Sequence, residues 1–442
     1  MKKIYNGIMG LVVGDAVGAP VEFMERDSFQ LTDMVGYGSH NVPPGTWTDD
    51  SAMALATVES IARLGKVDAN DIMQNFSLWF TKAEFTPFGR TFGVGNTVMQ
   101  ALYKYLEGTP ATQCGCPNFW DNGNGALMRI LPLAYTDCDN EVIDAVSGLT
   151  HGHEISKTAC RAYIKIARYL LEGRYDLRSI LSIFEVFPIE REEFKRIPVL
   201  KKYTRNQISS SGYVVDTLEA ALWSLLHSNS YRECILLAAN LGEDTDTTCA
   251  VAGGLAGIMY GIGGEKGVPQ EWIDEIARKD WIAELCEAFD KQRLAALPVL
   301  TAEEQERMSF IESCGIYDEN EVDEMRKGLI KNIRVEQNEK TGDKHIFYCF
   351  DDGGVYQEIC IGPTPKGGDY CVVFYFDKQH NTTCKEKAFW VDIHEMRLNG
   401  EMVGTALGFY DNRNENRDNS NENSEKTDKS NYDATKWMKR EW

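Results

Sequence analysis

Two short segments of this sequence concentrate oxygen-bearing side chains where an apolar run begins. Thr48-Asp49-Asp50-Ser51 stands directly before AMALATVESIARL, and Asp244-Thr245-Asp246-Thr247-Thr248 directly before CAVAGGLAGIMYG. Asp, Ser and Thr are favoured helix caps, and a carboxylate near a helix N-terminus is stabilised by the helix dipole, so either segment alone is adequately read as a cap. Capping takes one side-chain oxygen per helix, however. Several carboxylates at the start of a buried helix would each cost several kcal/mol to desolvate without a counter-cation. A divalent metal removes that cost, and oxygen ligands without clustered His or Cys select Mg²⁺, Mn²⁺ or Ca²⁺ over zinc. Two such groups meeting in space would hold a pair of metals roughly 3.5–4 Å apart, able to clamp a substrate oxygen and activate water.

Positioning them requires a helical scaffold. From Met1 to about Leu297 the apolar residues follow a helical period, over Ser51–Leu64, Thr97–Leu106, Lys157–Leu171, Val215–Leu226, Tyr231–Leu241 and Thr248–Tyr260. Several of these runs are apolar on more than one face, which predicts interior helices of a large all-α bundle. Polar, glycine-rich connections at Gly36–Gly45, Phe85–Gly95 and Asp121–Gly125 are the natural places for chemistry on such a scaffold. The opening lysines and the apolar stretch after them imitate a signal peptide, but Asp15 interrupts it, and Gly and Ala at helical spacing from Gly7 to Gly18 suit a tightly packed core helix.

After Pro298 the pattern changes. Two charged helices, Thr301–Ser313 and Glu319–Lys331, precede strand-like runs at Asn332–Gln337, His345–Phe350, Val355–Ile361, Tyr370–Phe376, Ala388–His394 and Met402–Phe409. Turn residues such as Asp352-Gly353-Gly354 separate them, predicting a small, mostly antiparallel module of the α+β kind over 298–410. Residues 411–442 are nearly all polar up to Asp433, and read as a disordered tail with Trp437 and Trp442 at a frayed end.

Composition narrows the partners. The 442 residues carry a net charge of −21, a field that repels nucleic acid and anionic membrane surfaces and attracts divalent cations. No apolar run of about 20 residues suggests a membrane span. Twelve cysteines in a long chain without a signal read as reduced thiols, which implies a cytoplasmic protein; Cys114 and Cys116 are too few and too closely spaced for zinc. Two Asp-rich motifs on helices also suggest a prenyl-diphosphate enzyme. That chemistry wants a third acid four residues after the first, whereas Ser51-Ala52-Met53 follows Asp49-Asp50.

A more specific likeness rests on six segments in order. They are Gly14-Asp15-Ala16-Val17-Gly18-Ala19-Pro20-Val21-Glu22, Thr46-Trp47-Thr48-Asp49-Asp50, Asn122-Gly123-Asn124-Gly125-Ala126-Leu127-Met128-Arg129, Thr150-His151-Gly152-His153, Ser211-Gly212-Tyr213-Val214-Val215-Asp216-Thr217-Leu218 and Asn240-Leu241-Gly242-Glu243-Asp244-Thr245-Asp246-Thr247. Together they resemble the ADP-ribosylglycohydrolase family, whose founding bacterial member removes ADP-ribose from an arginine of dinitrogenase reductase. The resemblance implies a metal-dependent hydrolase over 1–297 that holds two Mg²⁺ (or Mn²⁺) ions, with Thr48, Asp49 and Asp50 on one side and Asp244, Asp246 and Thr247 on the other. It implies Glu22 as an acidic residue on a mobile loop near the scissile bond, and Glu22, Asp49 and Asp246 as the groups nearest the reaction. There, water attacks the anomeric carbon of a metal-held ribose. Gly93, Gly95, Asn124 and Gly125 match substrate loops of the family. His151 and Tyr213 are candidate contacts that a buried or capping histidine and a core aromatic would equally explain. Asp15 is a cap or a partner behind the ligands, and Arg129 an internal salt-bridge partner. The implied partner is an ADP-ribosylated protein or a small ADP-ribosyl compound, with arginine favoured as acceptor. A non-catalytic ADP-ribose-binding module, and a regulatory protein whose output lies in the β module, remain as alternatives. The sequence leaves the oligomeric state open.

Overall fold

The computed structural model describes residues 4–173, 181, 192–295, 300–314, 322, 325, 332–349, 355–363, 369–375 and 389–392. By contacts the chain divides into two compact units, Met1–Lys331 and Asn332–Trp442. α12 (Ala302–Cys314) falls in the first of these units.

At the centre of the helical unit α1 (Ile4–Gly18) lies against α9 (Thr245–Tyr260). Small residues every four positions let the two backbones touch. A Cβ on Gly10 would stand 2.4 Å from the Gly253 carbonyl, one on Gly14 2.2 Å from the Cys249 carbonyl, and one on Gly18 2.3 Å from the Thr245 carbonyl. As numbers rise along α1 they fall along α9, so the helices are antiparallel, and the C-terminal end of α1 meets the acidic start of α9. The stretch Ile4–Val21 is apolar and long enough to cross a membrane, yet 89% of it is buried inside the unit, as befits a core helix.

Around this pair pack α2 (Asp49–Leu64), α6 (Glu154–Leu171), α7 (Val214–Leu226), α8 (Tyr231–Ala239) and α11 (Lys279–Ala295), with α3 (Ala69–Lys82), α4 (Asn96–Leu106), α5 (Asn140–Ser147) and α10 (Gln270–Glu275) outside them. The six expected helices are all present. α2 and α9 begin earlier than their apolar runs, at Asp49 and Thr245, so Asp49, Asp50 and Asp246 lie in a first turn and Asp244 in the N-cap position. α3 and α5 lie outside the expected set; their starts are fixed by Asp68, which accepts from the N–H groups of Asn70 and Asp71, and by Asp139, which accepts from the N–H of Val142. The connection at Asp121–Gly125 does not stay open but runs into a 3₁₀ segment, Asn124–Arg129.

The second unit holds an antiparallel sheet in sequential order: β1 (Ile333–Gln337), β2 (Lys344–Cys349), β3 (Val355–Pro363), β4 (Asp369–Tyr375) and β5 (Phe389–Asp392). Ile346 pairs with Val335 on one side and with Ile359 on the other, and all but the half-buried Val335 are fully buried. The expected strand at Met402–Phe409, most of the second charged helix and the polar tail fall outside the described residues.

Candidate active site

Asp15, near the C-terminal end of α1, is fully buried. Its carboxylate accepts from the N–H of Thr48 at 3.0 Å, the N–H of Ser51 at 3.1 Å and the hydroxyl of Ser51 at 2.5 Å. Asp15 therefore takes over the exposed amides at the start of α2 from another helix. Thr48, in the N-cap position of α2, makes no side-chain cap bond, and neither does Asp244 at the start of α9. Capping thus does not account for these side chains, which are turned to face one another instead.

The Thr48 hydroxyl lies 3.2 Å from Asp50 Oδ2 and 3.4 Å from Asp246 Oδ2, and the Thr247 hydroxyl lies 3.4 Å from the same Asp50 oxygen. Asp244 joins through Asn124, whose amide donates to its Oδ2 at 3.0 Å. Asp49 faces Gly93, where a Cβ would come within 2.4 Å of its Oδ1. Thr48, Asp50, Asp246 and Thr247 thus meet directly between the starts of two helices that are nearly 200 residues apart in sequence, with Asp244 linked to Asn124 and Asp49 set against Gly93. Burial pushes the carboxyls of Asp49, Asp50 and Asp246 well above the usual range; the charges of Asp15 and Glu22 add to this at Asp49, those of Asp15 and Asp49 at Asp50, and those of Glu22 and Asp50 at Asp246. Asp15 is raised to about 6, again by burial, with its hydrogen bonds opposing the shift. Asp50 Oδ1 and Asp244 Oδ1 are buried with no hydrogen-bond partner. Hard, uncompensated carboxylate oxygens of this kind fit a divalent cation.

Glu22, 8% exposed, follows the 3₁₀ turn that ends α1 and hydrogen-bonds His40 Nε2. Ligand atoms of Glu22, His40 and Asp246 lie within 4.8 Å of one another, so Asp246 belongs both to this group and to the threonine–aspartate group. The bond to Glu22 raises His40 against the effect of burial, and its ring lies 5.4 Å from that of Phe92, next to Gly93. His40 went unnoticed in the sequence because a lone histidine in a glycine-rich loop has no periodic signal; the loop itself, Gly36–Gly45, was marked.

Asn124 is 8% exposed and bridges Thr217 at 2.9 Å to Asp244. Its N–H donates to the Gly212 carbonyl, and the Val214 N–H donates to the Asn122 carbonyl, which places Tyr213, half-buried at the start of α7, beside Gly123. His151 is fully buried behind this loop: its Cε1 is 2.9 Å from where a Cβ on Gly125 would stand, and its Nδ1 is 2.8 Å from the Thr150 hydroxyl. Burial, helped by Arg129, lowers it to about 3, so it is neutral near pH 7. His153 caps α6, accepting from the Ile155 N–H. Gly95 is exposed at the start of α4 with open space around it. Arg129 is not the salt-bridge partner expected. It is wholly buried and donates to the Val146 carbonyl and the Thr150 hydroxyl, with its guanidinium 4.6 Å from the centre of the Phe76 ring.

A family model described as ADP-ribosylglycohydrolase matches residues 1–299. The chain belongs to the ADP-ribosylglycohydrolase family. By that membership it is a glycosidase-type hydrolase. It is 34% identical to the ADP-ribosylarginine hydrolase Tri1 of Serratia proteamaculans over 295 residues, 65% of this chain and 78% of that one. It is 32% identical to the ADP-ribosyl-[dinitrogen reductase] glycohydrolase of Rhodospirillum rubrum over 288 residues, 63% of this chain and 91% of that one. A solved structure described as an ADP-ribosylglycohydrolase-related protein complex superposes with a TM-score of 0.56 at 29% identity, over 66% of this chain and 98% of that one. Every site residue described above lies inside the family match of this ADP-ribosylglycohydrolase, and the β module lies outside it.

Proposed function

We propose that this ADP-ribosylglycohydrolase hydrolyses the glycosidic bond between ADP-ribose and an arginine of a modified protein, at a site that holds two Mg²⁺ or Mn²⁺ ions. The observation that carries the reading is the gathering of carboxylates at the starts of α2 and α9, where the oxygens Asp50 Oδ1 and Asp244 Oδ1 are buried without a partner. Thr48, Asp49 and Asp50 would hold the ions from α2, and Asp244, Asp246 and Thr247 from α9. Such a pair, when bound, fixes hydroxyl oxygens and lowers the pKa of water. The chain's own groups supply the rest. Glu22 stands beside Asp246 at the edge of the cluster, where a carboxylate can orient water toward an anomeric carbon and stabilise an oxocarbenium-like ribose. Asn124 and the glycines beside it offer a polar edge for ADP-ribose next to Asp244. Arginine as acceptor is supported by the names of the two relatives quoted and by the excess of negative charge, which favours a cationic leaving group. The free thiols among the described residues fit a reducing, cytoplasmic setting.

The test is release of free ADP-ribose from an ADP-ribosylarginine protein, in Mg²⁺ or Mn²⁺ against EDTA. Metal-dependent release is the expected result. No release with either metal would overturn arginine as the acceptor, and serine-linked ADP-ribose would then be the substrate to try.

A further inference from the structure

The β module carries a side-chain cluster that the glycohydrolase site does not use. His345 on β2 and Cys360 on β3 are direct cross-strand partners, with Sγ 3.8 Å from Nε2. The other ring nitrogen, Nδ1, lies 2.7 Å from Glu358 Oε1. Glu358 precedes Cys360 by two positions on the same strand and so shares its face. His345 is 3% exposed, Cys360 7%, and the Glu358 side chain 18%. The ring stacks on Phe347 with centroids 5.9 Å apart, which fixes its plane. Glu336, opposite His345 on β1, is paired with Arg334 at 3.0 Å. Thiol, imidazole and carboxylate thus stand in line, the order in which a base takes a thiol proton and is itself oriented by a third group.

Other thiols among the described residues meet different groups. Cys114, Cys249, Cys314 and Cys349 approach backbone carbonyls, Cys138 a carbonyl and the Arg168 guanidinium, Cys160 the Ser147 hydroxyl, and Cys116 the side chains of Gln100 and Lys104. Only a few per cent of an ordinary thiol is thiolate near neutral pH, and the thiolate is the nucleophile. A neighbouring imidazole held by a carboxylate raises that fraction.

We propose that Cys360 is an activated thiol, with His345 as its base and Glu358 as the group that orients the base, and that it is a modification site for small hydroperoxides. In the reaction the Cys360 sulfur attacks one peroxide oxygen, an S–O bond forms and the O–O bond breaks. The departing hydroxide takes the thiol's proton from His345 and leaves as water. Sulfur is oxidised to the sulfenic acid and the peroxide is reduced. Burial opposes a charged His345, yet its hydrogen bonds to Cys360 and Glu358 outweigh that and raise it to about 10. The 7% exposure of Cys360 restricts the electrophile to something as small as hydrogen peroxide.

The inference is independent of the glycosidic reaction. Its test treats the full chain with hydrogen peroxide, traps sulfenic acid with dimedone and locates it by peptide mass spectrometry. Cys360 should be labelled at least tenfold faster than Cys349, a half-buried thiol at the end of β2. Glu358→Gln and His345→Gln should each remove most of that excess and leave Cys349 unchanged. If the buried His345 substitution opens the sheet, Cys349 will label faster too, and Glu358→Gln, which keeps shape at a partly exposed position, then decides. Equal labelling of Cys360 and Cys349 in the wild-type chain, or a Cys360 rate unmoved by Glu358→Gln, would overturn the proposal.

Discussion

Asp246 has more to do than any other carboxylate of the site. It lies against the Thr48 hydroxyl on one side and within reach of Glu22 and His40 on the other. Replacing it with Ala takes away a ligand atom from both groups, and Asp246→Ala should lose at least a hundredfold in turnover together with most Mn²⁺ affinity, while far-UV circular dichroism stays that of the wild type. Wild-type turnover by this variant would end the metal assignment. Glu22 makes a different demand. Its hydrogen bond goes to His40 rather than to a threonine of the ligand set, so Glu22→Gln keeps the shape and a hydrogen-bonding partner for His40 but removes the charge. Turnover should fall by roughly a hundredfold, the scale of a lost acid or base, with Mn²⁺ affinity changed only slightly. Equal losses in both would make Glu22 a ligand or a support instead.

What holds these residues in place is the contact of α1 with α9, and it can be tested at Gly14. Exchanging Gly for Ala inside a helix gains about 1 kcal/mol of intrinsic propensity. Against that, the new Cβ would stand 2.2 Å from the Cys249 carbonyl oxygen and 2.8 Å from its carbon, both backbone atoms that cannot swing aside. Overpacking of this kind costs about 1–3 kcal/mol or more, so the balance falls on the unfavourable side. Gly14→Ala should lower the denaturation midpoint and, by pushing Asp15 away from Thr48 and Ser51, also weaken metal binding; an unchanged midpoint would mean that the helices have slack between them. The same contact shows what the sequence could and could not reveal. Gly and Ala at helical spacing over Gly7–Gly18 marked a tight core helix, and the acid-rich starts of α2 and α9 marked the ligands, because burial on all sides and clustered carboxylates both leave a plain trace in residue types. Asp15, expected as a cap or a partner behind the ligands, does take the amides at the start of α2; that this leaves the Thr48 side chain without a capping bond could not be read, because it depends on which helices meet. α3 was missed although Ile72, Met73, Phe76 and Trp79 follow a helical period, whereas α5 is a run of only 8 residues; both starts rest on the single caps Asp68 and Asp139. His40 and Phe92 likewise come together only through the meeting of two loops.

At the scale of the whole molecule, the buried carboxylates set how stability depends on pH and on metal. Asp15 has a folded value of about 6 against an ordinary 3.8, so in the metal-free protein its protonated form favours the fold. That contribution is complete below about pH 4 and is lost as pH rises through 6, a change on the order of 3 kcal/mol. Asp49, Asp50 and Asp246 are raised too, by burial and by the charge of neighbouring carboxylates, and act in the same direction. Glu219, raised to about 7 by burial away from the ligands, acts in the same direction, and so does His40 through its bond to Glu22. His151, held neutral by burial down to about 3, acts in the opposite direction as pH falls through its ordinary 6.5 and offsets part of this trend, whereas Asp33 and Asp68, held low by their hydrogen bonds, oppose it only near pH 4 and below. The chelated protein should therefore melt at a higher temperature at pH 5 than at pH 8. Metal changes this selectively: a divalent cation favours ionised ligands, so it offsets the loss at the aspartates but leaves the part due to Glu219 untouched. Thermal melts at pH 5 and pH 8, each in EDTA and in excess Mg²⁺, separate the two contributions. The increment in melting temperature caused by Mg²⁺ should be several degrees larger at pH 8 than at pH 5, given roughly 2 °C per kcal/mol for a unit of this size. An increment independent of pH would mean that the ion binds away from the raised carboxylates.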